Sequence, residues 1–219
     1  MRFADGRRAR RAGYTLIEMA ITLGIVGVIL GSLTGVFESS GNAYEQGAAT
    51  ANAQSQVRRA VTRLAQTLEN AGFGTLLPNP SGIACDDLVF QVATGVNPAT
   101  QAITYDNSAR LRWVIEAGET NNGLDDDGDG LIDEGRVEYT RNYLLASQVV
   151  VTIAKGVPEL YDGELDNGAD DNGNGFADEP GFHMTRVGNL LRVRLCVAVP
   201  VPGRDAAVAT MDTALRLKN

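Results

Sequence analysis

One histidine, His183, and two cysteines, Cys85 and Cys196, are spread over 219 residues, which leaves no His/Cys cluster for a zinc site. His183 therefore reads as an ordinary strand or loop residue. There is no Ser-His-Asp arrangement and no glycine-rich phosphate loop, so an enzyme is not expected. Basic charge is concentrated at the start: Arg2, Arg7, Arg8, Arg10 and Arg11 lie there against Asp5 alone. Those residues contribute +4 to a chain of net charge −8, so the remainder from Tyr14 carries −12. Such an acidic remainder is a poor partner for nucleic acid. The first proline is Pro78, and nothing before it forces a helix to break. Between Met19 and Phe37 there is no charged residue at all.

That charge-free run organises the chain. Residues 14–37 span about 36 Å as a helix at roughly 1.5 Å per residue, enough to cross a bilayer with some tilt. The arginines before it predict a cytoplasmic N-terminus and an exported remainder. Gly27, Gly31 and Gly35 share one helical stripe, a small-xxx-small pattern that permits close helix packing. Glu18 stands at the mouth of the run. A carboxylate there costs roughly 2.5–3.5 kcal/mol on insertion scales. An uncleaved signal anchor that tolerates the acid is one reading. A secretory signal fits less well, because it would place a small-residue cleavage site after the apolar run. A cut before the run, after Gly13, leaves the run in place as an anchor.

The residues Gly13, Tyr14, Thr15, Leu16, Ile17 and Glu18 resemble the prepilin processing motif. The resemblance implies that a membrane prepilin peptidase cleaves after Gly13 on the cytoplasmic side and methylates the Tyr14 amine. It also implies that Glu18 pairs with the methylated amine of a neighbouring subunit. Tyr14 stands where the family usually has Phe. Beyond the run, Val57, Val61, Leu64 and Leu68 recur at helical spacing, with Arg58, Arg59, Arg63, Gln66 and Glu69 on other faces. That predicts an amphipathic helix lying on a sheet and ended by Gly72 and Gly74. The segment VRRAVTRLAQTLENAGFG resembles the corresponding part of PilW-like minor pilins.

From Pro78 the pattern becomes β-rich, with strands expected near 87–93, 101–105, 110–117, 136–143, 148–154, 182–187, 190–199 and 207–217. The closing MDTALRLKN resembles the last strand of PilW-like pilins and of the type II secretion pseudopilin J. The expected class is α+β. Residues 1–13 form a leader, 14–40 the transmembrane or filament-core half of a spine helix, 41–74 its amphipathic half, and 75–219 a β-rich globular domain. In an exported domain Cys85 and Cys196 could pair, closing a loop worth up to ~4.7 kcal/mol in the chain-entropy model. Cys196 also reads as a plain core residue of an apolar strand.

One internal repeat stands out. Residues 119–134 (ETNNGLDDDGDGLIDE) and 164–179 (ELDNGADDNGNGFADE) align without gaps and match at nine of sixteen positions. Oxygen-bearing side chains at alternate positions followed by glycine can converge on a hard cation. Asp125, Asp127 and Asp129 before Gly130 meet that pattern, as do Asp170, Asn172 and Asn174 before Gly175. The backbone carbonyls of Leu131 and Phe176, with Asp133 and Glu134 or Asp178 and Glu179, would complete two cages. The loops begin like an EF-hand, but Arg136 and Gly181 occupy the closing position and no amphipathic helix flanks them. They more closely resemble metal-binding repeats of some secreted bacterial proteins, of the form E-x-C-N-G-x-D-x-D-C-D-G-x-x-D-E. The cysteine positions of that form hold Asn121 and Gly128, then Asp166 and Gly173. The expectation is two Ca²⁺ ions, one in each of two hairpin-tip loops, as structural locks. The bland alternative is a pair of Asp/Asn/Gly turns without metal.

Together these resemblances imply a PilW-like minor pilin, expected to assemble into or prime a type IV pilus with other pilins. It would be anchored first in the inner membrane, with a periplasmic domain. A J-like pseudopilin of a type II secretion filament is the alternative within that class. A membrane-anchored calcium-binding adhesin with an intact leader is the alternative outside it.

Overall fold

The computed structural model describes residues 14–217. One helix, α1 (Leu16–Leu68), is followed by a 3₁₀ turn at Phe73–Thr75 and seven strands. The chain divides near Glu45 into two compact units, and α1 supplies residues to both.

In the first unit every described residue, from Tyr14 to Glu45, is exposed. A helix apolar on all sides and covered on none is what a bilayer or a bundle of like helices would require. By length and composition α1 can cross a membrane.

In the second unit the helix becomes one-faced. Ala53, Val57, Ala60, Val61, Leu64 and Leu68 are buried, a stripe with the expected spacing. It packs against two antiparallel sheets. The first is a meander of β1 (Asp87–Val96), β2 (Ile103–Ile115), β3 (Gly135–Arg141) and β4 (Val149–Val157). The second is a meander of β5 (Phe182–Val187), β6 (Leu190–Val201) and β7 (Arg204–Arg216). Strand alternation sends Leu88, Phe90, Leu111 and Val137 from the first sheet into one core. Phe182, Met184, Leu191, Val193, Leu195 and Val197 join it from the second. The α+β class is therefore as expected.

Three expectations need correction. The expected strands 101–105 and 110–117 are one strand, β2, because Ser108 and Ala109 continue the ladder opposite Gln91 and Phe90. Irregular register between Gln91 and Gly95 absorbs the polar residues that read as a turn. The helix ends at Leu68 rather than at the glycines. Ala71 already bridges to Val92, and the Gly72 amide donates to the Gln91 carbonyl at 2.9 Å. Gly72 is needed for close approach, since a Cβ there would run into the Tyr105 ring. Finally, Cys85 and Cys196 are both free thiols, so the expected Cys85–Cys196 bond is not made. Cys85 pairs with Met184 on the core face of the second sheet. Cys196 lies between the core residues Leu195 and Val197, and alternation turns it to the opposite face.

Candidate functional site

Gly13, the residue before the expected cut, lies outside the described residues; Tyr14 is exposed. The helix starts through a capping box that TLIE encodes. Thr15 donates to Glu18 Oε2 from its amide at 2.8 Å and from its hydroxyl at 2.9 Å, and the Glu18 amide donates back to Thr15 Oγ1 at 3.3 Å. The Glu18 carboxylate is thus held by its own helix terminus. Gly27, Gly31 and Gly35 stand open along α1, with nothing within 4 Å of where a Cβ would be.

The first acidic loop connects β2 to β3 as a hairpin insertion, closed at its neck where the Glu116 amide donates to the Glu134 carbonyl at 3.0 Å. Its side chains form a frame. Asp133 accepts from the Asn122 and Gly123 amides at 2.9 and 2.6 Å. Glu119 Oε1 accepts from the Asp126 and Asp127 amides at 3.0 and 2.8 Å. Asp125 accepts from Gly128 at 2.6 Å and Gly130 at 2.9 Å. Gly130 sits at φ 94°, a conformation that favours glycine. Asp127 Oδ1 accepts from the Asp129 amide at 3.0 Å, and Asp129 Oδ1 from the Leu131 amide at 2.9 Å.

Inside this frame the acids converge. Carboxylate oxygens of Glu119, Asp125 and Asp127 lie within 4.8 Å of one another, as do those of Asp127, Asp129 and Glu134. Glu134 is only 1 % exposed. Both of its oxygens, and Glu119 Oε2, are buried without a hydrogen-bond partner. Burial, with Asp129, Glu119 and Asp127 adding negative potential, pushes the Glu134 carboxyl up to about 7. A buried, unpaired carboxylate is costly unless a cation or donor meets it. The donor set is all oxygen, which suits a hard divalent cation.

The second loop repeats the frame. Asp178 accepts from Asn167 and Gly168 at 3.1 and 2.8 Å, and Asp170 from Asn174 and Gly175 at 3.0 and 2.8 Å. Glu164 accepts from the Asn172 amide at 3.0 Å and the Asp178 amide at 3.1 Å. It is not a hairpin tip, as expected, but the crossover from β4 in one sheet to β5 in the other. It is pinched by a short ladder in which Tyr161 donates to the Glu179 carbonyl and Gly181 to that of Glu159. Leu131 and Phe176 anchor the loops by their side chains. Leu131 is buried, and Phe176 packs near the His183 ring at 6.3 Å. His183 lies fully buried in β5, its Nδ1 2.8 Å from the Pro180 carbonyl, and burial pulls its pKa down.

Four of the expected ligands, Asp125, Asp133, Asp170 and Asp178, accept backbone amides on both carboxylate oxygens. The sequence reading passed over Glu119 and Glu164, which each open a repeat and are buried within its frame, although their recurrence at the same position in both copies was an available signal.

Residues 8–34 match the family described as the prokaryotic N-terminal methylation motif. No curated protein and no solved structure matches the chain. The matched segment begins at Arg8 and covers the Gly13–Glu18 motif and α1 as far as Thr34. Motif and helix support a single-pass inner-membrane anchor carrying a soluble domain. The methylation motif, leading directly into a long exposed apolar helix, supports a type IV pilin-like protein.

Proposed function

We propose that the chain is a PilW-like minor pilin, cleaved between Gly13 and Tyr14 by a prepilin peptidase and methylated on the Tyr14 amine. It waits in the inner membrane and then enters a type IV pilus, near its tip, by packing α1 against the spines of other pilins. The observation that carries this is the continuity of the methylation motif with a helix apolar all round as far as Phe37 and one-faced on a β domain beyond Gln46. The AGFG at the helix end favours the PilW-like reading over the J-like pseudopilin. Glu18 has two states in this scheme. Before assembly Thr15 holds its carboxylate; in the filament the neighbour's amine takes it, and an unpaired charge in a dry core disfavours wrong register.

Calcium is the proposed structural ion of the acidic loops. Support for it comes from the oxygen-only donor set and from the buried carboxylates of Glu119 and Glu134. The test of assembly is Glu18→Ala in the native host. The variant should reach the membrane normally and be depleted from sheared filaments; normal amounts in the sheared fraction would defeat the proposed role. Deleting the gene should reduce surface pili. Loss of type II secretion with pili intact would assign the chain to a pseudopilus instead.

A further inference from the structure

The two loops share one frame, and they differ where an ion would sit. In both, a backbone amide occupies Oδ1 of the second and third alternate residues. These are the Asp129 and Leu131 amides in the first loop, and the Asn174 and Phe176 amides in the second, at 2.9–3.1 Å. That fixes which way each side chain faces. An N–H must meet an oxygen, so the other terminal atom turns inward, toward the buried glutamate. In the second loop that atom is an amide nitrogen. Asn172 Nδ2 donates to Glu179 Oε1 at 3.1 Å, and Asn174 Nδ2 donates to the same oxygen. In the first loop Asp127 and Asp129 have no such donor, and each brings a carboxylate oxygen within 4.8 Å of one from Glu134.

The consequence shows in the buried oxygens. Glu119 Oε2, Glu134 Oε1 and Glu134 Oε2 have no partner in the first loop, whereas Glu179 Oε2 alone is unpartnered in the second. Glu164, the counterpart of Glu119, has both oxygens satisfied by backbone amides. The first loop therefore gathers buried negative charge that its own donors leave unmet. The second meets most of its own.

We propose that the loops have divided roles: the first closes on one divalent cation held by Glu119, Asp127, Asp129 and Glu134, and the second closes without a cation because Asn172 and Asn174 donate to Glu179 in its place. This rests on the calcium reading given above and narrows it from one ion per loop to one per chain. The β4–β5 crossover is then held whatever the calcium level. The loop between β2 and β3 closes only where calcium is plentiful, outside the cytosol.

Titration calorimetry of the full chain in detergent, with CaCl₂ and with MgCl₂ as control, tests this. Wild type should bind one Ca²⁺. Asp127→Asn with Asp129→Asn should bind none. In chelator it should melt several degrees above wild type, since the new amides can donate to Glu134. Asn172→Asp with Asn174→Asp should bind two ions, melt below wild type in chelator, and recover in calcium. Two ions in wild type, or one ion still bound after Asp127→Asn with Asp129→Asn, overturns the division of roles and leaves calcium binding standing. No binding at millimolar CaCl₂, with melting indifferent to chelator, overturns the calcium reading itself. Should either double variant misfold, the wild-type stoichiometry decides alone.

Discussion

Replacing Glu134 by glutamine should reverse the order of stability between calcium and chelator. Glu134 is 1 % exposed, neither carboxylate oxygen has a partner, and Asp127 and Asp129 lie beside it. Leaving a buried polar group unsatisfied costs about 1–3 kcal/mol, and more for a charge. In chelator, glutamine removes that charge and can donate to the aspartates, so the variant should gain about 1–3 kcal/mol. At roughly 2–4 °C per kcal/mol for a domain of this size, its melting temperature should rise by several degrees. In calcium the wild type is stabilised by about 2.7 kcal/mol at a hundred times Kd, and the variant forfeits most of that. The assay is thermal unfolding followed by far-UV circular dichroism at about pH 8, above the value of about 7 for Glu134, so that the wild-type group is ionised. Curves in which Glu134→Gln is destabilised equally with and without calcium would refute the argument, because a residue that merely packs has no reason to respond to the ion.

Three further outcomes follow from the geometry. Leu64→Ala removes a side chain with no exposed surface from the seam between α1 and the sheets, and should cost about 2–5 kcal/mol by thermal or urea unfolding. A cost well under 1 kcal/mol would mean the helix does not rest on the sheets. Glu138 is buried, which alone would raise its carboxyl, but hydrogen bonds from Arg136 at 2.9 Å and Arg112 at 3.0 Å outweigh that and hold it low. Its stabilisation is present above the unfolded value of about 4.3 and is lost as pH falls through the lower folded value. Glu138→Gln should therefore cost roughly 1–3 kcal/mol near neutrality, and the gap to wild type should close in acid. Burial, with nearby aspartates adding to it, pushes the thiols of Cys85 and Cys196 up to about 12. Both should resist alkylation in the native protein and react in denaturant without reductant; fewer than two labels there would show a disulfide after all.

Much of the fold was legible because it rests on periodicity. Val57, Val61, Leu64 and Leu68 read as a stripe and are one, and alternation in Leu191, Val193 and Leu195 marked a core strand. What escaped depended on partners distant in sequence or on one atom's orientation. The helix stops at Leu68 because Ala71 meets Val92, a contact no local pattern announces. Alternation already put Cys196 opposite Leu195, but that Cys85 joins the core face beside Met184 is a contact between residues about a hundred apart. In the loops, the D-x-D-x-D spacing located the acids but not their roles. Asp133 and Asp178 looked like ligands and hold backbone amides, while Glu119 and Glu164 lay outside the spacing and are buried inside the frame. The capping box was written plainly as Thr15 and Glu18, but an acid at the edge of an apolar run draws attention to the membrane before it suggests a helix cap.

The N-terminal peptide of the protein extracted from native membranes bears on the pilin reading most directly. Mass spectrometry should find a chain that begins at Tyr14 with one methyl group on its amine. A peptide that still begins at Met1, in a host with an active prepilin peptidase, would contradict processing and return the chain to an uncleaved membrane-anchored domain.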